Sequence, residues 1–294
     1  MKLATAVKQG ASFIGCVFNE KIVNVSALAN LNGRNFPPTM LEGIGQGEAF
    51  IALIEELLSH QQKEEHTYRL DEVIFLAPIP RPSKNIFCIG KNYRDHAIEM
   101  GSESDIPEDI MVFSKAPTAV IGHQAGIPSH SNLTKQMDYE GELAIIIGKT
   151  GTCINKDEAM DHVFGYTIIN DITARDLQQR HKQFLLGKSL DGSCPMGPWI
   201  VHHSEMDNPL NLSIQTKVNG ELRQNGNTSN LIFDIKVMIA ELSKGMTLEA
   251  GDIIATGTPA GVGKGMKPPV FLKTGDTIEI TVEGIGTLCN EIVE

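Results

Sequence analysis

Two apolar runs that each carry acid at one end constrain this chain more than anything else in it. Glu140-Gly-Glu142 opens Leu143-Ala-Ile-Ile-Ile147, and Asp171 follows Tyr166-Thr-Ile-Ile-Asn170. Both runs read as strands entering a core. Alternate side chains of a strand share a face, so Glu140 and Glu142 project together. Three carboxylates converging from two strand ends repel strongly unless a cation sits among them. Oxygen ligands without Cys or His favour Mg²⁺ or Mn²⁺ over zinc. A second reading stays open at this point. Asp138, Glu140 and Glu142 also alternate as they would on an edge strand charged against aggregation.

The 294 residues suffice for one large domain, or for a small domain beside a larger one. A formal net charge of −11 argues against nucleic acid or an anionic membrane as partner. An anionic substrate would therefore have to be held by local cations. The five cysteines are scattered, odd in number and without a C-x-x-C, which fits reduced thiols in a cytoplasm. The stretch Ala11-Ser-Phe-Ile-Gly-Cys-Val-Phe18 faintly imitates a signal peptide, but it is short and reads as a strand. No run approaches the length that crosses a bilayer. The expectation is a soluble cytoplasmic protein.

Residues 1–76 read as a small α+β domain. Strands over 13–18 and 21–25 flank a turn at Asn19-Glu20, and a helix over 47–60 follows. Phe50, Ile51, Ile54, Leu57 and Leu58 form that helix's apolar stripe, and Gln61-Gln-Lys-Glu-Glu-His66 reads as a solvated connector. Ala77-Pro-Ile-Pro-Arg-Pro-Ser83 excludes helix and central strand, and marks the entry to a larger domain over 77–294. There, strands are expected over 86–89, 111–114, 143–147, 166–169, 199–202, 212–218, 252–255 and 277–282. Helices are expected over 95–100, 156–163, 174–182 and 233–242. The class is α+β, mainly β, with a β-rich barrel or rolled sheet.

Several segments carry groups suited to chemistry. Arg175 and Gln178 share a helical face beside Asp171 and could hold a carboxylate next to a cation. Asp171 or Thr173 is placed to cap that helix. The alternative is a surface helix with Arg175 paired to Asp176 or Asp171. Lys188 lies in a glycine- and proline-rich stretch, 187–198, expected to be a loop. It is either a solvated lysine or an ammonium that stabilises an enolate. His96 and Glu99 stand at i, i+3 on a short helix, an arrangement for a general base, or simply an exposed histidine. Polar residues 101–109 suit a lid. Thr256-Gly-Thr-Pro-Ala-Gly-Val-Gly-Lys264 fails the phosphate-loop spacing and reads as a rigid turn, in which the Thr258 hydroxyl could meet a carboxylate.

These segments together resemble the fumarylacetoacetate hydrolase superfamily. The pieces are Gly90-Lys-Asn-Tyr-Arg-Asp-His96, Asp138-Tyr-Glu-Gly-Glu142, Asn170-Asp-Ile-Thr-Ala-Arg-Asp176, Gly187-Lys-Ser189, Val218-Asn-Gly-Glu-Leu-Arg223 and Gly251-Asp-Ile-Ile-Ala-Thr-Gly-Thr-Pro-Ala-Gly-Val-Gly263. The resemblance implies a fumarylacetoacetate hydrolase-like β-rich catalytic domain and a homodimer. It implies Mg²⁺ or Mn²⁺ held by Glu140, Glu142 and Asp171, with Lys188 alongside. His96 and Glu99 match a lid histidine and its partner. Arg175, Gln178 and Thr258 match positions that hold substrate carboxylate and oxo groups. The implied substrate is a small anionic 2-oxo acid, handled through an enolate.

The run 89–100 and the small N-terminal domain look most similar to a bacterial two-domain branch with oxaloacetate decarboxylase activity. Decarboxylation to pyruvate and CO₂ is accordingly the first expectation. Carbon–carbon bond hydrolysis of acylpyruvates or fumarylpyruvate, or isomerisation of hydroxymuconate-type diacids, is the alternative. A metal-binding regulatory scaffold with little turnover is the reading from another class.

Overall fold

The computed structural model describes residues 1–59 and 61–294, with the backbone alone for 61–63. Its main sheet is one continuous path. In order across it lie Thr67–Arg69, Lys21–Asn24, Ala11–Phe18, Lys2–Lys8, Cys194–His202, Val163–Asn170, Gly141–Ile147, Ile253–Ala255, Ile86–Gly90 and Met111–Lys115. The two ends of that path do not pair with each other among the described residues, so the β-rich body is a rolled sheet and not a closed barrel. A second sheet runs Glu221–Asn227, Ser213–Val218, Thr277–Val282, Gly286–Val293 and Gly126–Pro128.

Gly141–Ile147 and Val163–Asn170 are buried at every position, which explains their continuous apolar runs: each is covered on both faces. One face meets the second sheet and the Ile235–Ser243 helix through Leu143, Ile145, Ile168, Ile214, Met238 and Ile280. The other face packs Ala144, Ile146 and Ile169 in a core shared with Phe50, Ile54 and Leu57 of the helix Glu48–Ser59. No helix of the described residues is long and apolar enough to cross a membrane.

The Asn19-Glu20 turn joins Ala11–Phe18 to Lys21–Asn24 with positive φ at both residues, 43° and 62°, as a tight hairpin demands. Val25, expected to end a strand, instead opens the helix Val25–Leu31, because Asn24 Oδ1 accepts the Ala27 amide at 2.9 Å and caps it. Position 60, the expected end of the following helix, lies outside the described residues. Gln61–His66, read as a connector, is a 3₁₀ turn.

Two expectations in the larger part of the chain are corrected. The helix expected over 156–163 is a single 3₁₀ turn, Ala159–His162, because Val163 already belongs to a central strand. The stretch 187–198 is not a loop throughout. Leu185–Lys188 is a helical turn, and Cys194–His202 is a strand despite Pro195 and Pro198. Its pairing with Val163–Asn170 shifts register between Tyr166 and Ile168, so Pro198 falls where the ladder is interrupted and no amide is needed.

Candidate metal centre and active site

The pairing of Gly141 with Asn170 brings the acidic ends of the two central strands together. Asp171 N donates to Glu140 O at 2.8 Å, and Glu140 N donates to Asn170 Oδ1 at 3.1 Å, so both acids are fixed through their backbones. Gly141 between the two glutamates has no room for a side chain, since a Cβ there would stand 2.3 Å from Thr216 Oγ1. Ligand oxygens of Glu140, Glu142 and Asp171 lie within 4.8 Å of one another, and all three residues are buried. The edge-strand reading of this acidic row is thereby overturned: Asp138 and Asp171 are wholly buried, and the strand that Glu140 leads into is central.

Three cations are buried against these acids. Lys188 Nζ lies 2.7 Å from Glu140 Oε2 and 2.6 Å from Asp171 Oδ2. Arg175 Nε donates to Asp138 Oδ2 at 2.8 Å, and its Nη2 stands 2.7 Å from Glu140 Oε1, in ion-pair range but off the line of a hydrogen bond. Lys115 Nζ stands in the same way 2.8 Å from Asp171 Oδ1, while donating to Ile172 O at 3.0 Å and to Lys188 O. Asp138, Glu140, Glu142 and Asp171 set against Lys115, Arg175 and Lys188 leave one negative charge without a buried partner. Burial opposes the charge on Glu140, yet Lys188 and Arg175 outweigh it and hold that carboxyl below the usual range. Glu142 is the opposite case. Burial, then Asp171 and Glu140, pushes its carboxyl well above the ordinary value, although Gly257 N donates to its Oε2 at 2.8 Å. An all-oxygen buried set with surplus negative charge fits a hard divalent cation of the Mg²⁺ or Mn²⁺ kind.

The set opens onto a cavity of about 300 Å³. Of the nine residues singled out in the sequence, His96, Glu140, Glu142, Arg175, Gln178, Lys188 and Thr258 line it. The other two stand behind that lining, Asp171 in the acidic cluster and Glu99 behind the imidazole. His96 Nδ1 is 3.3 Å from Glu99 Oε2, and Gly261 N donates to both Glu99 oxygens, at 3.0 and 3.2 Å. Gln178 Oε1 lies 3.4 Å from Arg175 Nη1 on the shared helical face.

Some local details differ from expectation. Neither Asp171 nor Thr173 caps the helix Arg175–His181: Ala174 takes that place, and the Thr173 hydroxyl donates to Asp171 O instead. Arg175 pairs with Asp138 and Glu140, while Asp176 accepts from Thr134 Oγ1 at 2.6 Å. The Thr258 hydroxyl gives its hydrogen to Gly141 O at 2.9 Å and accepts from Gln224 Nε2 at 2.7 Å. Only an acceptor lone pair remains for a ligand. Sequence reasoning overlooked Lys115 altogether and saw Asp138 only as a surface charge. The available signal was a lysine at the inner end of Met111–Lys115 and an acid in phase with Glu140 and Glu142.

Fold and site define a class of protein in which a buried carboxylate cluster at the ends of two central strands opens onto a small cavity lined by cationic side chains. Residues 85–293 match the family described as fumarylacetoacetate (FAA) hydrolase, C-terminal, and the chain belongs to that family. It is 55% identical over 300 residues to the Bacillus subtilis (strain 168) protein named oxaloacetate tautomerase YisK, covering 99% of this chain and 100% of that one. A fumarylacetoacetate hydrolase from psychrophilic Exiguobacterium antarcticum superposes with a TM-score of 0.85 at 44% identity, over 100% of this chain and 99% of that one. Maleylpyruvate hydrolase from Sphingobium sp. SYK-6, solved with manganese(II) and pyruvate, gives a TM-score of 0.80 at 31% identity, again over 100% and 99%. These relatives are named as enzymes, and membership of the same family supports enzyme activity here.

Proposed function

We propose that this chain moves a proton at the carbon beside the carbonyl of oxaloacetate or a closely similar 2-oxo acid, interconverting its enol and keto forms. The observation that carries the reading is the cluster of Glu140, Glu142 and Asp171 beside one cavity that also presents Lys188, Arg175 and His96. The similarity to the oxaloacetate tautomerase supports the substrate class. Held by Glu140, Glu142 and Asp171, Mg²⁺ or Mn²⁺ would supply the Lewis acidity that polarises a 2-oxo acid's carbonyl. Arg175 and Gln178 orient the adjacent carboxylate by hydrogen bonds from one helical face. Lys188 adds fixed positive charge where negative charge grows on the substrate oxygen. His96, braced by Glu99, takes the proton from carbon and delivers it to oxygen, or the reverse.

Decarboxylation of oxaloacetate builds an enolate at the same carbonyl, that of pyruvate, by loss of CO₂ from the far end followed by protonation of the carbon, and is the second reading. Pyruvate stands with manganese(II) in the maleylpyruvate hydrolase structure, which supports a 2-oxo acid product at a site of this kind and is compatible with either cleavage. One experiment separates the two. Decay of the ultraviolet enol band of oxaloacetate reads tautomerisation, and coupled detection of pyruvate reads decarboxylation, each with chelated and with Mn²⁺-restored protein. Acetylpyruvate and fumarylpyruvate in the same panel test hydrolysis. No acceleration of any of these by the metal-restored protein would defeat the reading and favour a binding scaffold.

A further inference from the structure

Four lysines line the cavity, Lys91, Lys182, Lys188 and Lys264, and they are not equivalent. Lys188 is held between Glu140 and Asp171. Lys91 Nζ is 3.0 Å from Asp105 Oδ1. Lys182 is exposed. Lys264 is half-buried on the cavity wall, and no carboxylate of the described residues stands in ion-pair range of its ammonium.

The position of Lys264 is nevertheless built in. Its own amide donates to Asp138 Oδ2 at 3.0 Å, and the Gly263 amide donates to Asp138 Oδ1 at 2.7 Å. Asp138 Oδ2 also accepts Arg175 Nε at 2.8 Å, so one buried carboxylate fixes both the guanidinium and the backbone of Lys264. Only glycine fits at 263, where a Cβ would lie 2.0 Å from Val270 O and 2.7 Å from Asp138 Oδ1. A half-desolvated ammonium with no carboxylate in ion-pair range is costly until an anion reaches it. At about 300 Å³ the cavity is at the small end for ligand sites, which suits a short chain of atoms between two anionic ends.

We propose that Lys264 is the specificity-determining residue that receives the second carboxylate of a short 2-oxo diacid, so that the cavity selects diacids over the matching monoacids. This rests on the 2-oxo acid reading above and adds the substrate's second charge to it.

Lys264→Met and Lys264→Arg are compared with wild type on two pairs of probes. Oxaloacetate and 2-oxobutanoate differ by a carboxylate against a methyl group, and exchange of their C3 hydrogens in D₂O is followed by NMR. Malate and 2-hydroxybutanoate make the same comparison without turnover, by calorimetric binding to the Mn²⁺-loaded protein. Wild type is expected to prefer the diacid in both pairs. Lys264→Met lowers that preference by about tenfold, the order expected for one half-buried ion pair, chiefly through KM, and Lys264→Arg restores part of it. Equal loss on diacid and monoacid, a wild type without diacid preference, or a preference kept by Lys264→Met would each overturn the assignment. If neither oxo acid exchanges while malate still binds in a Lys264-dependent way, the carboxylate contact stands and the enolisation reading fails.

Discussion

Lys115 Nζ stands 2.8 Å from Asp171 Oδ1, and neither side chain has any exposed surface. The lysine therefore serves the acidic centre from behind. It cannot reach a ligand in the cavity, but it sets the orientation of one carboxylate and, through Lys188 O, the backbone of a second cation.

Removing that ammonium leaves Asp171 with one buried charge fewer to face. Lys115→Met is expected to destabilise the protein by about 3–5 kcal/mol, the range for breaking a buried pair from one side. Urea unfolding measures it. A loss below about 1 kcal/mol would show that the pair contributes no more than an exposed one.

Glu142 is the one of the four buried acids that no cation of the described residues pairs, and its carboxyl is pushed well above its ordinary 4.5 by burial and by Asp171 and Glu140. Without a divalent cation the folded protein then holds a proton that the unfolded chain has released. Stability from this group is complete below about pH 4.5 and declines as pH rises toward the elevated value. Glu140, held low by Lys188 and Arg175, contributes the other way: its share is present above about pH 4.5 and fades as pH falls. Glu142→Gln should flatten the alkaline decline of the cation-free protein and leave the acid one. Binding Mn²⁺ should expel the Glu142 proton, so binding enthalpies near neutrality should vary with the ionisation enthalpy of the buffer. Enthalpies independent of buffer would show that Glu142 is already ionised.

What could be read from the sequence follows from how far apart the interacting parts lie. Glu140, Glu142 and Asp171 were legible because strand alternation and two adjacent apolar runs are local signals. Lys115 was not, since a lysine at the end of Met111-Val-Phe-Ser resembles any solvated strand end until Asp171 arrives from a distant segment. Lys2–Lys8 was missed for a related reason. It is the seam between Ala11–Phe18 and Cys194–His202, and a strand buried by distant partners need not look apolar at both ends. Cys194–Pro198 looked like a loop because glycine and proline break ladders, and only the register shift opposite Thr167 shows how the strand tolerates them.

His96→Asn should separate proton movement from cation holding. The imidazole lines the cavity, and its hydrogen bond runs to Glu99 and to none of Glu140, Glu142 and Asp171, so Mn²⁺ affinity should change little while the enol–keto rate falls by about 10²–10⁴. Glu99→Gln should give a smaller loss, because the ring stays in place with a weaker brace. Electron paramagnetic resonance of bound Mn²⁺ alongside turnover tests this. Affinity falling in step with rate would place His96 in the cation's own shell.

Gly261 links the far loop to that same pair. Its φ of 109° is unfavourable for any side chain, and a Cβ there would lie 2.0 Å from Arg223 O, a backbone atom that cannot swing aside. The Gly261 amide is also the donor that both Glu99 oxygens accept. Gly261→Ala must therefore move the loop, withdraw that donor and loosen the brace on His96. The expected result is a stability loss of about 1–3 kcal/mol with a fall in kcat resembling that of Glu99→Gln. Glu140, Glu142 and Asp171 are held from the two central strands, so Mn²⁺ affinity should survive the substitution. An alanine variant with wild-type kcat would show that the imidazole keeps its aim without the Gly261 amide, and the brace would then have to be sought elsewhere around Glu99.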